Sequence, residues 1–248
     1  MRIKYIVCSG PNESTDFLKL LDLCEQYPLA EIAIQVSQKK TNMYSPRYDW
    51  IMGFARYCSM MQIRPNIALH VNTSWAEKFC QGTMPDELRD LMDLNMGNFV
   101  QRVQLNIHVG KSIIPEPDIV AEMINRFPKQ RFILPYNLHN SLLVHVLYRK
   151  GVVFDCLYDE SFGQGIVPEE RSIPLYADVL QGYAGGLTHY NVCVELDKIK
   201  DAVKRFGKDV DVFIDAHKGL EDDHKNFSLE KCRMYLENAM SWLQEQEG

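Results

Sequence analysis

The residues of this chain able to do chemistry gather where short apolar runs stop. Cys8 and Ser9 follow YIV, Gln35 and Ser37 close AEIAIQV, and His70 and Asn72 close NIALHV. Asn106 and His108 end RVQLNI, Asp159 follows VVFDCLY, Gly185 and Gly186 follow GYA, and Asp215 and His217 end VDVFIDAH. Thiols, carboxylates and imidazoles are the groups that proteins use for proton transfer. Adjacent glycines let backbone N–H groups approach an oxyanion, and a helix start just after them adds partial positive charge. The same pair also suits an ordinary turn. Arg47 has the planar fork that grips a carboxylate in two places, and could equally be a solvated residue at a helix start. His70, His108 and His217 could ring a metal. AEIAIQV supplies neither a histidine nor an aspartate in place to complete the set, so the reading is of a site without metal.

The cysteines do not build a framework. They stand at 8, 24, 58, 80, 156, 193 and 232, odd in number, widely spaced and with no CxxC pair. That usage fits small buried residues in a reducing cytosol rather than disulfides or a zinc ribbon. With 27 Lys and Arg against 33 Asp and Glu, the net charge is −6 and no basic run is present. Nucleic acid is therefore not expected as a partner. The longest apolar runs are strand-sized, far short of the about 20 residues a membrane helix needs. The opening MRIKYIVCSG reads as a first strand, since its apolar run is too short for a signal-peptide core. The expected partner is a small molecule, and a homo-oligomer is left open.

Positioning those residues requires alternating strands and helices. Strands are expected at Ile3–Cys8, Ala30–Val36, Asn66–Val71, Arg102–Ile107, Arg131–Leu134, Val152–Tyr158, Gly182–Ala184 and Asp211–Ile214. Helix-period stretches fall at Ser14–Glu25, Arg47–Met61, Pro117–Phe127, His139–Arg149, Asn191–Phe206 and Phe227–Leu243. Two short helices, Trp75–Cys80 and Asp86–Leu94, form an insertion after the third strand. Repeated β–α alternation means a parallel sheet covered by helices, and about eight such units in about 250 residues fit a single α/β domain, a (β/α)8 TIM barrel over residues 1–248. An open doubly wound sheet is the alternative, but CSGPNES lacks GxGxxG after the first strand. In a barrel, function sits on the loops after the strands, which turns the strand list into a site list.

Several of these strand ends resemble phosphoribosylanthranilate isomerase, one of the ribulose-phosphate-binding barrels. The similar pieces are IVCSG at Ile6–Gly10, SPRY at Ser45–Tyr48, RVQLN at Arg102–Asn106, Asp159 before a glycine-bearing loop, and AGGL at Ala184–Leu187. VDVFIDAHKG occupies the place of that family's eighth strand, so the order of pieces spans nearly the whole chain. The sequence departs from the pattern at Ser9, which stands where the family has glycine, at Asn106, where it has histidine, and at Asp215–Ala216–His217, where it has a Ser-Gly or Ser-Ala turn.

The resemblance implies a cofactor-independent aldose–ketose rearrangement of a phosphorylated sugar conjugate. Cys8 would be the base that removes a proton from C2′, and Asp159 the acid that opens the sugar ring. That division needs a lowered thiol pKa and a raised carboxyl pKa. Asp155, four residues before Asp159, is the alternative acid. Gly185 and Gly186 would hold phosphate, and Arg47, His70, Asn106, Asp215 and His217 would line the substrate site. A second reading is a non-catalytic barrel that binds a phosphorylated metabolite or nucleotide, since binding tolerates the altered first and eighth loops better than catalysis does. A third is a metal-dependent lyase or epimerase.

Overall fold

The computed structural model describes residues 1–93, 99–107, 114–159 and 164–247. Its strands are β1 (Arg2–Ser9), β2 (Ala30–Val36), β3 (Asn66–Asn72), β4 (Arg102–Asn106), β5 (Arg131–Tyr136), β6 (Phe154–Tyr158), β7 (Gln181–Tyr183) and β8 (Asp211–Ala216). They close a parallel barrel in sequence order, β1 through β8. The helices among the described residues are α1 (Phe17–Gln26), α2 (Pro46–Met61), α3 (Ser74–Cys80), α4 (Asp86–Met92), α5 (Pro117–Asn125), α6 (Ser141–Arg149), α7 (Val192–Phe206) and α8 (Leu229–Glu247). Both α3 and α4 lie between β3 and β4, as the insertion reading expects. No helix among the described residues is long and apolar enough to cross a membrane. His108, Leu94 and most of the loop DESFGQG fall outside the described residues.

Local chemistry sets the element ends. Asp16 caps α1 by accepting from the Leu18 and Lys19 N–H groups, so the helix begins at Phe17 rather than Ser14. Ser45 caps α2 through Tyr48 N–H, and Pro46 takes the first helical position, where its missing N–H costs nothing. The α6 start moves from His139 to Ser141 because Asn137 Oδ1 accepts from the His139 and Asn140 N–H groups, holding a turn there. Strand β6 begins two residues later than expected, and Val153 is exposed.

The chain divides into two packed units. The first is Met1–Ala33 with Cys156–Gly248, and the second is Ile34–Asp155. In the first, β1 pairs with β8 through Val7↔Asp215 and Cys8↔Ala216, and with β2 through Val7↔Glu31 and Ser9↔Ala33. Cys8 meets Cys232 of α8, which fixes one face of β1 as the helix-covered face. Side chains alternate along a strand, so Val7 and Ser9, with Asp215 beside them, face the barrel interior. Phe213 lies on that same interior face, and its ring fills the space where Gly182 has no side chain: a Cβ there would lie 2.1 Å from Phe213 Cζ.

The second unit settles its own faces by an ion pair. Arg102 of β4 reaches Asp155 of β6 past the intervening β5, with Nε to Oδ2 at 3.1 Å, and Arg131 Nε reaches Oδ1 at 2.6 Å. Such a link between non-adjacent strands must run through the interior. Alternation then turns Gln104 and Asn106 inward, and the register His70↔Gln104 and Asn72↔Asn106 brings His70 and Asn72 with them. The opposite face of these strands carries Val103 and Leu105, both fully buried.

Candidate functional site

At the ends of β1 and β8 the sequence places Ser9, Gly10, Asp215 and His217 together. The Ser9 hydroxyl donates to Asp215 Oδ1 at 2.5 Å, a buried contact that anchors the carboxylate. Gly10 has φ +113°, and His217 lies over it: a Cβ on Gly10 would meet His217 Cδ2 at 3.0 Å and Nε2 at 3.3 Å. Glycine is required here by both the backbone angle and the imidazole. His217 Nε2 faces Glu221 Oε1 at 3.5 Å, with the His217 side chain 40% exposed. An accessible imidazole backed by a carboxylate is an arrangement suited to passing protons. Glu221 follows His217 by four residues, a spacing visible in HKGLE, although the sequence reading did not single it out.

Cys8 does not share that setting. Its thiol is fully buried and hydrogen-bonds with the Cys232 thiol on the helix-covered side of β1. Burial, then Cys232, push its pKa well above the ordinary thiol value, with the nearby Cys24 and Asp215 adding to the rise. A thiolate base needs a lowered pKa and reach into the interior, whereas burial raises the Cys8 pKa and its thiol faces Cys232.

The Gly185–Gly186 turn packs against the chain itself. Both glycines take left-handed φ, +86° and +69°. The place a Cβ of Gly186 would take lies 2.5 Å from Val167 Cγ2 and 2.6 Å from Val167 N, so the chain's own 166–167 segment covers it. Arg171, fully buried, donates to the Ala184 and Gly185 carbonyls and pairs with Glu195 of α7 at 2.8 Å. At the start of α7, Asn191 Oδ1 accepts from Thr188 N–H, while Thr188 Oγ1 accepts from the Tyr190 and Asn191 N–H groups. Several donors that a phosphate would use are thus engaged by neighbouring side chains. Arg171 carried no sequence signal, because nothing in a long loop marks which arginine turns inward.

The remaining residues stand as follows. Asp159 follows β6 directly and is half-buried. Asp155, its alternative, is committed to Arg102 and Arg131. Arg47, in the first turn of α2, donates to the Gln35 carbonyl at the end of β2 at 3.4 Å. His70 is buried on the interior face of β3. Asn106 donates to Asn72 Oδ1 and accepts from Gln104 Nε2, both at 2.8 Å. Among the described residues no group of three or more His, Cys, Asp or Glu side chains is placed to hold a metal ion.

No family model matches the chain, and no curated protein matches its sequence. Among solved structures, it is similar to a protein named for spore coat polysaccharide biosynthesis, protein E of Chromobacterium violaceum. The identity is 12%, the TM-score 0.56, and the match covers 99% of this chain and 76% of that one. A second structure, N-(5'-phosphoribosyl)anthranilate isomerase of Pyrococcus furiosus, aligns at 11% identity with TM-score 0.49, covering 96% of this chain and 98% of that one. At such identity the first likeness shows the barrel fold alone.

Proposed function

We propose that the protein is a cofactor-independent isomerase-type barrel that moves a proton within a sugar conjugate, with His217 rather than Cys8 as the base. The observation that carries this reading is the accessible His217–Glu221 pair over Gly10, beside the Ser9–Asp215 contact. Asp159, at the end of β6, serves as the acid.

The proton balance closes with two groups. Asp159 gives its proton to the ring oxygen as the C1–O bond breaks, and the nitrogen lone pair forms the iminium. His217 takes the proton from C2, leaving an enolamine. The imidazolium returns a proton to C1 while the Asp159 carboxylate takes the proton of the C2 hydroxyl, and the ketone results. No oxidant or reductant enters. Glu221 supports the imidazolium, and Asp215, anchored by Ser9, fixes the charge beside it. The cytosol is the compartment that fits cysteines that are odd in number, widely spaced and without a CxxC pair.

This reading keeps the sugar and does not depend on a phosphate cradle at Gly186. Loss of anthranilate-type fluorescence, followed with phosphoribosylanthranilate and with its dephosphorylated analogue, tests it. Turnover of either supports the isomerase, and the ratio of the two reports the role of the phosphate. The burial of Cys8 favours a second reading, a binding barrel, and tight binding of the phosphorylated compound without any turnover would establish that one instead.

A further inference from the structure

The interior face of β3 and β4 carries a ladder of carboxamides that the proton-transfer chemistry leaves unused. Gln104 Nε2 donates to Asn106 Oδ1, Asn106 Nδ2 donates to Asn72 Oδ1, and Asn72 Nδ2 donates to the His70 carbonyl at 3.0 Å. The ladder is therefore a directed chain of three hydrogen bonds. Its depth is graded: Gln104 is 5% exposed, whereas Asn72 and Asn106 are half-buried at the strand ends. At the deep end, Gln104 Oε1 is buried with no hydrogen-bond partner among the described residues. A buried amide oxygen without a donor has given up its hydrogen bond to water with nothing in return, so its presence calls for a reason.

The inventory of the ladder defines what would satisfy it. Each carboxamide NH2 has two hydrogens, and the chain engages one of each. The ladder thus offers donors along its length and one strong acceptor at its foot. An anion would meet the Gln104 oxygen unfavourably, and a cation would meet the amide donors. A neutral group whose every atom both donates and accepts fits both, and adjacent hydroxyls on a carbon chain are that group. We propose that the Asn72–Gln104–Asn106 ladder is a polyol-recognition site that takes a vicinal diol of a sugar, with one hydroxyl donating to Gln104 Oε1. The sugar class rests on the isomerase reading above, but the ladder can be measured without turnover.

The test uses the full chain and the side-chain NH2 resonances of Asn72, Gln104 and Asn106 in a 1H–15N spectrum, titrated with D-ribose. The expected result is saturable shifts of these resonances in the millimolar range. Affinity should be about tenfold weaker for Gln104→Met, whose side chain keeps the volume and loses the acceptor. Inorganic phosphate should leave the resonances unmoved. Asn72→Ala is the second variant should Gln104→Met not fold, with the same expected weakening. The proposal is overturned if ribose at tens of millimolar moves none of the three amides, or if either variant folds and binds ribose as wild type does, which would make the ladder a packing device with a trapped water. Ribose binding without turnover would uphold the ladder while removing the isomerase. Turnover with the ladder amides unmoved would do the reverse.

Discussion

At Cys8 the decisive quantity is the cost of placing a thiolate among apolar atoms and two other thiols, which raises its pKa far from neutrality. Iodoacetamide at pH 8 should therefore leave Cys8 unmodified in the native protein and label it only after denaturation, as read by peptide mass spectrometry; rapid native labelling would show an exposed thiolate. Residue type and strand position were legible in the sequence here, but the face of the strand was not. A shift by one position carries a side chain from the interior to the helix layer, and Ser9, not Cys8, holds the inward position. Asp215 reads from the sequence only as a residue lining the site, and becomes an anchored carboxylate once the Ser9 hydroxyl is placed against it. Gly186 is a related case. Its glycine is required by φ +69° and by Val167, so Gly186→Val should destabilise the fold by about 1–3 kcal/mol in urea denaturation, through overpacking and backbone strain together. An unchanged midpoint would show that the 166–167 segment yields freely.

Between elements, two buried contacts brace β7 and the loop before it. Strand β7 has only the three residues Gln181–Tyr183, and its Gly182 admits the Phe213 ring of β8. Gly182→Ala should cost about 1–3 kcal/mol, and much less in a Phe213→Leu background; a double-mutant cycle without coupling would contradict this packing. Arg171 ties the loop before β7 to Glu195 of α7, with Lys198 as a second partner of the same carboxylate at 2.9 Å. Arg171→Met strands a buried carboxylate and should cost about 3 kcal/mol, toward the lower end for a broken buried pair because Lys198 remains. The strands and long helices were legible to within a few residues, since apolar runs and helical period follow burial directly. The loop arginine was not, because an ion pair between residues 24 apart in sequence, as Arg171 and Glu195 are, leaves no local pattern.

Across the whole molecule, the closing pair of strands also carries a charge contact at its amino-terminal end. Asp211, at the start of β8, meets Arg2 at 2.8 Å and Lys4 at 3.7 Å on β1. The hydrogen bond from Arg2 is the largest cause holding its carboxyl below the ordinary value of 3.8. A depressed carboxyl pKa contributes stability that is present above the unfolded-state value and is lost as pH falls through the folded-state value. The stability difference between wild type and Asp211→Asn should therefore be constant near neutrality and shrink as pH falls below 3.8, followed by urea unfolding. A difference that persists unchanged at lower pH would mean that the ion pair contributes nothing there.

The central claim is that the proton-transfer base is the imidazole at the end of β8, not the thiol at the end of β1. Single-turnover rearrangement of phosphoribosylanthranilate by wild type, His217→Gln and Cys8→Ser tests it most directly. The account predicts a rate lower by about 10² or more for His217→Gln, the usual loss for a general base, and a rate within about threefold of wild type for Cys8→Ser. A Cys8→Ser rate that falls as far as that of His217→Gln, or a His217→Gln rate equal to wild type, would contradict it.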